Sequence, residues 1–213
     1  MSVSDQPKMA SLVERAKSII LTPDAEWAKI DGETTSIQKL YAEYVAILAA
    51  IPAVCGAVGG LMFGYGAMGF HVRPSLGGAI SGAIANYVLA LVAVFVLALV
   101  IENLAPTFGG TKDRMQAFKV AAYSGTAGWL AGVFALVPAF GFLRILGLYG
   151  LYLLYLGLPK LMKAPQEKSL AYTALVVVAA IVVMVVFGFI AAPFMHMGMG
   201  SGMGMGSGMM QPS

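Results

Sequence analysis

Charged side chains are scarce in this sequence. Asp, Glu, Lys and Arg make up 11% of the residues and hydrophobic types 59%, whereas about 25% of a soluble domain is charged. A soluble fold would have to hide long apolar stretches that have almost no polar face, so the composition favours a helix bundle in lipid. The net charge of +3 comes from a few loop cations and predicts no nucleic-acid partner.

Cysteine is nearly absent as well. The single residue, Cys55, excludes an internal disulfide and a cysteine metal cluster. The polar amino-terminal segment has no apolar core followed by a cleavage site, so we expect no cleavable signal peptide. The first apolar stretch is therefore expected to direct its own insertion into the membrane.

Five long apolar stretches dominate the rest of the chain. Each has about 19 to 27 residues, close to the roughly 20 that a helix needs to cross a bilayer. The pattern predicts an all-α, polytopic membrane protein with five transmembrane helices. The predicted spans are Tyr44–Phe70, Gly77–Ile101, Ala117–Val137, Phe140–Leu158 and Leu170–Phe194.

Basic residues lie mostly on one side of these spans. Of the 13 Lys and Arg residues, 11 precede the first span or lie near the links that follow the second and fourth spans. The other two, Arg73 and Arg144, fall on the opposite side. Because cationic loops stay in the cytoplasm, we expect a cell (inner) membrane protein with a cytoplasmic amino terminus and an extracytoplasmic carboxyl terminus.

Three regions follow from these patterns. Residues 1–40 are predicted to be a cytoplasmic extension with short amphipathic helices, residues 41–194 the transmembrane domain, and residues 195–213 a disordered extracytoplasmic tail. In the extension, Thr22-Pro23 predicts the start of a second helix, with the threonine hydroxyl as its cap. Trp27 on that helix is expected to lie in the lipid headgroup layer, and a partner-binding helix is the alternative.

Glycines recur at helical spacing in the spans. Helices without Cβ atoms at such positions can approach closely, which stabilises a bundle in lipid. Packing within the chain is the expected use, and self-association or contact with other membrane proteins stays open. The predicted packing positions are Gly56, Gly60, Gly64, Gly78, Gly82, Gly128 and Gly132.

Polar groups at membrane depth are few. Asn86 lies inside the second span, where it can bond a neighbouring helix or line a polar path, and the first interpretation is the simpler. Glu102 ends the same span near Lys112 and Arg114, where solvation or a surface ion pair suffices. No span has a carboxylate or histidine near its centre, which argues against a proton-coupled transporter. The serines within the spans have no histidine at their depth, so we predict no enzyme and no catalytic residue.

The tail holds a cluster of metal-ligand type. Thioether sulfurs favour Cu(I), and alternate methionines on a flexible chain can wrap one ion. The candidate ligands are Met197, Met199, Met203 and Met205. A low-complexity tail without any ligand is the alternative, and no other cofactor is expected.

The segment from Phe118 to Pro165 carries a family resemblance. It contains AYS followed by Trp-Leu, a proline-marked hairpin and a YLLYLGL run that ends in proline and lysines, and Ser18 to Ile30 reads SIILTPDAEWAKI. In these elements and in its spans the chain resembles the Yip family, membrane proteins named for interaction with Ypt/Rab GTPases. The resemblance implies a compact five-helix bundle with a cytoplasmic amino terminus, and it brings no catalytic or binding residues.

Eukaryotic members of that family act in vesicle trafficking by binding prenylated GTPases. Their long cytoplasmic region with acidic-aromatic motifs is missing here, and the short sequence looks bacterial, so the trafficking role is not expected to transfer. The leading hypothesis is a non-enzymatic membrane scaffold or partner-interaction protein. The alternatives are a small permease or channel along Asn86, and extracytoplasmic Cu(I) binding by the tail.

Overall fold

A computed structural model of the chain describes residues 8–67 and 70–196, which are helical apart from one short strand hairpin. Two helices precede the bundle, and seven more build it. They are α1 (Lys8–Leu21), α2 (Pro23–Gly32), α3 (Ile37–Leu40), α4 (Ala46–Phe63), α5 (Leu76–Leu104), α6 (Arg114–Ser124), α7 (Thr126–Ala131), α8 (Tyr149–Leu161) and α9 (Ser169–His196). A π-helical turn covers Tyr41–Val45, and 3₁₀ segments cover Ala105–Phe108, Gly132–Leu136, Pro138–Leu148 and Gln166–Lys168.

The first long helix begins earlier than its apolar stretch. Together α3, the π turn and α4 run from Ile37 to Phe63 without interruption. Ser36 caps this helix, because its hydroxyl accepts a hydrogen bond from the Lys39 backbone N–H at 3.2 Å. A serine immediately before an apolar run is a favoured helix start.

The same helix ends before the predicted boundary. Gly64 takes φ +78°, a left-handed conformation that terminates helices and suits glycine. Strands β1 (Tyr65–Ala67) and β2 (Phe70–Val72) follow and pair in antiparallel register. The prediction that the first span reaches Phe70 was therefore wrong, since the chain has already turned.

The third predicted span is a succession of short elements. Helices α6 and α7 meet at Gly125, and a 3₁₀ segment continues them to Leu136. By length and hydropathy, four helical stretches of the described residues are able to cross a membrane. They are Ile37–Phe63, Leu76–Phe108, Pro138–Leu161 and Gln166–Ile190. Any fifth crossing therefore depends on the broken helix between the second and third of these stretches.

Helix α6 lies at the centre of the bundle. Every residue from Ala117 to Ser124 is buried, and the helix packs against α5 and α8. The Phe118 ring meets Tyr41 and Phe95 edge-on, with centroids 5.9 and 5.3 Å away. A helix enclosed on all sides forms the core of a bundle, so the broken third stretch is its most protein-enclosed part.

Successive stretches run along the bundle in alternating directions. At one end, the Thr111 N–H donates to the Met162 carbonyl at 2.7 Å and joins the link after α5 to the link after α8. At the other end, Gly59 of α4 lies against the backbone carbonyls of Ala135 and Leu136. The two interhelical links that carry most of the loop cations therefore share one end of the bundle.

The amino-terminal helices pack on that same end. Ile19 of α1 and Trp27 and Ile30 of α2 are fully buried, whereas Val13 on α1 is 60% exposed. The expectation that Trp27 lies among lipid headgroups was wrong, because its indole is enclosed by protein. An apolar helix face with a tryptophan suits either environment, and here the bundle supplies the better packing partner.

Candidate functional site at the amino-terminal end of the bundle

An ion-pair cluster holds together the N-terminal cap, which we define as residues 8–36. Arg15 of α1 donates to Glu26 of α2 and to Glu33 just beyond it, both at 2.5 Å. Lys29 adds a contact to Glu26 at 3.2 Å. Burial disfavours the charged form of Arg15, but the hydrogen bond and charge of Glu33, with smaller contributions that include Glu26, raise its pKa above the usual value. Arg15 therefore stays charged and fixes α1 against α2.

The connection between the two helices differs in one detail from its prediction. Helix α2 does begin at Pro23, directly after Thr22. The Thr22 hydroxyl, however, donates to the Ser18 carbonyl at 3.1 Å and does not cap α2. The predicted restart is confirmed, and the capping role of the hydroxyl was wrong.

Lys119 fastens the cap to the central helix. Its ammonium donates to the carbonyls of Ile30 and Glu33 at 2.8 and 2.6 Å, and the residue is 2% exposed. One turn away, the Gln116 amide donates to the Asp31 carbonyl at 3.1 Å. A buried ammonium needs such acceptors, so α6 and the end of α2 are held in one arrangement. From the sequence, Lys119 was expected only to help orient the protein in the membrane, although its position inside a predicted span was a signal of burial.

Helix α8 and the link that follows it supply further attachments of the cap. Lys160 contacts Asp24 at 2.7 Å and Lys163 contacts Asp31 at 2.5 Å. Deeper along the bundle, the Tyr149 hydroxyl donates to the Ile20 carbonyl at 3.0 Å. The two ion pairs are partly solvated, so each contributes about 0–1 kcal/mol and serves alignment more than stability.

Trp27 is the apolar counterpart of these polar contacts. A Cβ added at Gly157 of α8 would lie 2.7 Å from Trp27 Cζ2, so the missing side chain leaves room for the indole. On its other side the indole meets the Tyr123 ring edge-on, with centroids 6.2 Å apart. Gly157 was not predicted as a packing position, because spacing within one helix does not reveal what packs against it.

A cavity of about 470 Å³ opens between the cap and the first long helix. The π-helical turn lies at its edge, and the Tyr44 hydroxyl there shares a 2.7 Å hydrogen bond with that of Thr126. The Arg15 guanidinium lies 5.9 Å from the centre of the Tyr123 ring. The lining residues are Ser11, Leu12, Arg15, Gly32, Glu33, Thr34, Thr35, Lys39, Leu40, Glu43, Tyr44 and Tyr123.

The glycines predicted to pack have several different surroundings. Gly132 abuts α4, since a Cβ there would lie 2.5 Å from Pro52 Cβ. A Cβ at Gly56, Gly82 or Gly128 would meet no atom within 4 Å. Gly60 is buried, Gly64 ends its helix, and Gly78 lies in the first turn of α5 with its N–H bonded to Ser75 at 3.1 Å. Other tight approaches that the spacing did not indicate occur at Gly59, Gly110, Gly150 and Gly157.

The polar residues of the second span separate into two environments. Arg114 donates to Glu102 at 2.9 Å, so of the two alternatives at the helix end, solvation or an ion pair, the ion pair is the one that forms. Asn86, in contrast, is exposed on the outer surface of the bundle and has no hydrogen-bond partner among residues 8–67 and 70–196. It therefore lies on the outside rather than along an interior path.

The predicted metal ligands lie beyond the described part of the chain. Met197, Met199, Met203 and Met205 all follow His196, where the description ends. Within the described residues, no group of three or more His, Cys, Asp or Glu side chains is arranged to hold a metal ion. Copper binding by the tail stays a prediction.

Comparison with known proteins agrees with this architecture. The Yip1 domain profile matches residues 17–188, which includes most of the cap and the bundle. The chain is 28% identical over 157 residues to the inner membrane protein YohC of Escherichia coli K12, covering 71% of this chain and 80% of YohC, and it matches YohC of strain O6:H1 equally. No solved structure matches the chain. Since the profile spans far more than half of its length, the chain belongs to the Yip1 domain family.

Proposed function

We propose that this protein is a non-enzymatic scaffold of the inner membrane that presents its N-terminal cap to a partner. In this proposal the chain crosses the membrane five times, with the cap in the cytoplasm and the tail outside. The name of the YohC relatives supports the inner-membrane location, and the cationic links at the end that bears the cap support the orientation. The ion pairs of Arg15 within the cap, and the contacts of the cap with α6 and α8, favour a fixed rather than a mobile cap.

One observation carries the proposal: the cap is anchored from within and leaves a mixed surface outside. Val13 and Leu21 of α1 are 60% and 65% exposed, next to the exposed Glu14 and Lys17. On a cap that is held in one arrangement, these exposed side chains are the candidate contacts of a protein partner. The contacts of Lys119 and Trp27 would make the cap rigid, and a rigid surface loses less conformational entropy when it binds a partner.

In-cell photocrosslinking from Val13 tests this role. A benzophenone amino acid at Val13 should give a discrete product that disappears in a Trp27→Ala background, because that change loosens the cap. The matched control is the same probe at Leu170, which is 72% exposed near the same end of the bundle but outside the cap. A product of twice the chain's mass would identify a second copy as the partner. Identical products from both positions, or products indifferent to Trp27→Ala, would contradict the scaffold role.

The permease alternative receives less support. A polar path would need Asn86 to face the interior, and its amide lies instead on the outer surface. The cavity beside the cap lies at the end of the bundle, and Asn86 is not among the residues that line it. The scaffold role therefore explains more of the observed contacts than a permease does.

A further inference from the structure

Asn86 of helix α5 carries an amide that the bundle leaves unpaired. The residue is exposed on the outer surface, and its amide makes no hydrogen bond to residues 8–67 or 70–196. Two other polar side chains of α5 do find acceptors. The Ser81 hydroxyl donates to the Gly78 carbonyl at 3.2 Å, and the Asn103 amide donates to the Leu99 carbonyl at 2.8 Å. The Asn86 amide therefore offers both a donor and an acceptor to a group outside the described part of the chain.

The depth of Asn86 makes an unpaired amide costly. Glu102 and its ion pair with Arg114 mark the charged end of α5, and charges stay close to the surface of a bilayer. At 1.5 Å per residue, Asn86 lies about 24 Å from Glu102 along the helix axis, and the hydrocarbon core is about 30 Å thick. When α5 crosses the membrane, the amide is therefore within hydrocarbon, where water cannot satisfy it.

The surface around Asn86 allows another helix to approach. Gly82 lies one turn before Asn86 on the same side of α5, and a Cβ at Gly82 would meet no atom within 4 Å. Helix backbones approach closely where such small residues face each other. We call this side of the helix the α5 face and define it by the residues at helical spacing around Asn86, which are Gly78, Gly82, Asn86, Leu89 and Ala93.

We propose that the α5 face binds the α5 face of a second copy of the chain, with the two Asn86 amides paired across a two-fold axis. Copies inserted in the same orientation are related by an axis along the membrane normal, which places like residues opposite each other. Each amide then donates an N–H to the carbonyl oxygen of the other, and paired asparagines of this kind favour two-stranded assemblies. A second copy always brings this amide at the matching depth, whereas lipid tails offer no donor or acceptor.

This interface lies apart from the N-terminal cap. Asn86 is in the half of α5 that begins at Leu76, whereas the cap packs at the end where α5 leads into the link containing Thr111. The inference goes beyond the scaffold role, because pairing through α5 brings two caps into one assembly without covering either of them.

Förster transfer between labelled copies in proteoliposomes tests the pairing. Donor and acceptor dyes are attached at Ser2→Cys in a Cys55→Ser background, and the full-length protein is diluted with lipid to obtain an association constant. Asn86→Leu should lower this constant about three- to thirtyfold, the range found for polar hydrogen bonds between transmembrane helices. Asn86→Gln keeps the amide and should retain most of the association, which distinguishes the hydrogen bonds from the shape of the side chain.

Glycine variants test the close approach of the two helices. Gly82→Leu should lower the association constant at least as much as Asn86→Leu, because its side chain keeps the two backbones apart. The matched control is Gly188→Leu in α9, where a Cβ likewise meets no atom within 4 Å, and it should leave the constant unchanged. Melting temperatures in excess detergent, where dilution among micelles separates the copies, should stay close to the wild-type value and show that the variants fold.

Disulfide crosslinking in native membranes locates the interface. In the Cys55→Ser background, oxidation of Leu89→Cys should give a dimer. Ile84→Cys is the matched control, since Ile84 is 59% exposed but lies on the other side of α5, and it should give little dimer.

Three results would overturn the proposal. One is a lack of association at every dilution, and another is an association constant that Asn86→Leu and Gly82→Leu leave unchanged. The third is a dimer formed from Ile84→Cys but not from Leu89→Cys, which would place the contact on another side of α5. Each would leave the scaffold role intact, because crosslinking from Val13 reports on the cap and not on α5.

Discussion

Trp27 occupies the space that a side chain at Gly157 would fill, and this complementarity predicts a specific pattern of variant stabilities. The indole is fully buried, with Cζ2 2.7 Å from the position of a Cβ at Gly157. Its Nε1–H is enclosed without a hydrogen-bond partner among residues 8–67 and 70–196, so the residue contributes there by packing and not through a hydrogen bond. Removing the indole ring, or filling its space with a side chain at Gly157, should therefore weaken the same packing contact between α2 and α8.

The magnitudes follow from packing. Truncating a buried tryptophan to alanine costs about 3–5 kcal/mol, and inserting a methyl group into a filled space costs about 1–3 kcal/mol. Trp27→Ala and Gly157→Ala should each lower the free energy of cap opening by these amounts. Because the methyl group would enter the volume vacated by the indole, Gly157→Ala should cost far less in the Trp27→Ala background than alone. The expected coupling is about 1–2 kcal/mol and favourable, as for other residues in direct contact.

Hydrogen exchange of the α2 amides, followed by mass spectrometry in detergent, measures this opening directly. Trp27→Ala should accelerate exchange by about two to three orders of magnitude, since each factor of ten corresponds to about 1.4 kcal/mol. Exchange in α9, which packs mainly against α5 and α8, serves as the internal control. If the two substitutions are additive, or if α2 and α9 accelerate equally, the indole does not lock the cap onto α8 as described.

Three further predictions concern other residues. Lys119→Met should leave the carbonyls of Ile30 and Glu33 without their donor and destabilise the cap by about 1–3 kcal/mol, measured by hydrogen exchange of α2. Lys112→Met, at an exposed contact with Asn103, should change the exchange of α2 little. Equal effects of the two substitutions would refute the role of Lys119 as a buried clamp. Asn86→Leu should leave the melting temperature in detergent unchanged, because substitutions of exposed residues usually change stability by no more than about 0.5 kcal/mol. Any solute flux in proteoliposomes should also stay unchanged. A loss of flux would favour the permease hypothesis instead. Replacing Met197, Met199, Met203 and Met205 by leucine should abolish retention of Cu(I) under reducing conditions, and unchanged retention would end the copper hypothesis.

Local features of the fold were predictable from the sequence. The break at Thr22-Pro23, the start of a helix after Ser36 and the Glu102–Arg114 pair each depend on residues within a few turns of one another. Proline geometry, serine capping and opposite charges at a helix end act at that range. The long second and fifth apolar stretches are likewise single helices, because they contain no strong helix-breaking signal until their last turns.

Contacts between distant segments were not predictable. Trp27 and Gly157 are far apart in sequence, and the apolar face of α2 suits lipid as well as protein. Spacing identified Gly56 and Gly60 as a packing ladder, whereas it is at Gly59, between them, that an added Cβ would lie 2.3 Å from the Ala135 carbonyl oxygen. Which side of a helix meets a partner is set by the whole bundle and not by the period alone.

The candidate site was missed for a related reason. Arg15 and Lys119 look in sequence like ordinary topogenic cations, and only their partners reveal them as structural clamps. The cavity is lined by Tyr123 of α6 and by the link between α2 and α3, and no periodicity in the sequence indicates that these two segments meet. Sequence therefore predicted which end of the protein is charged but not that the charges build a pocket.

The number of membrane crossings is the most direct test of the proposed topology. Four stretches are long and apolar enough to cross, and the proposal requires the broken α6–α7 stretch as a fifth crossing. After Cys55→Ser, single cysteines can be introduced at Ser2, Thr111, Ala139 and Ser213 and labelled in intact cells with an impermeant maleimide. We predict labelling at Ala139 and Ser213 without permeabilisation, and at Ser2 and Thr111 only after it. Labelling of Ser2 and Ser213 from the same side would mean an even number of crossings and would contradict the account.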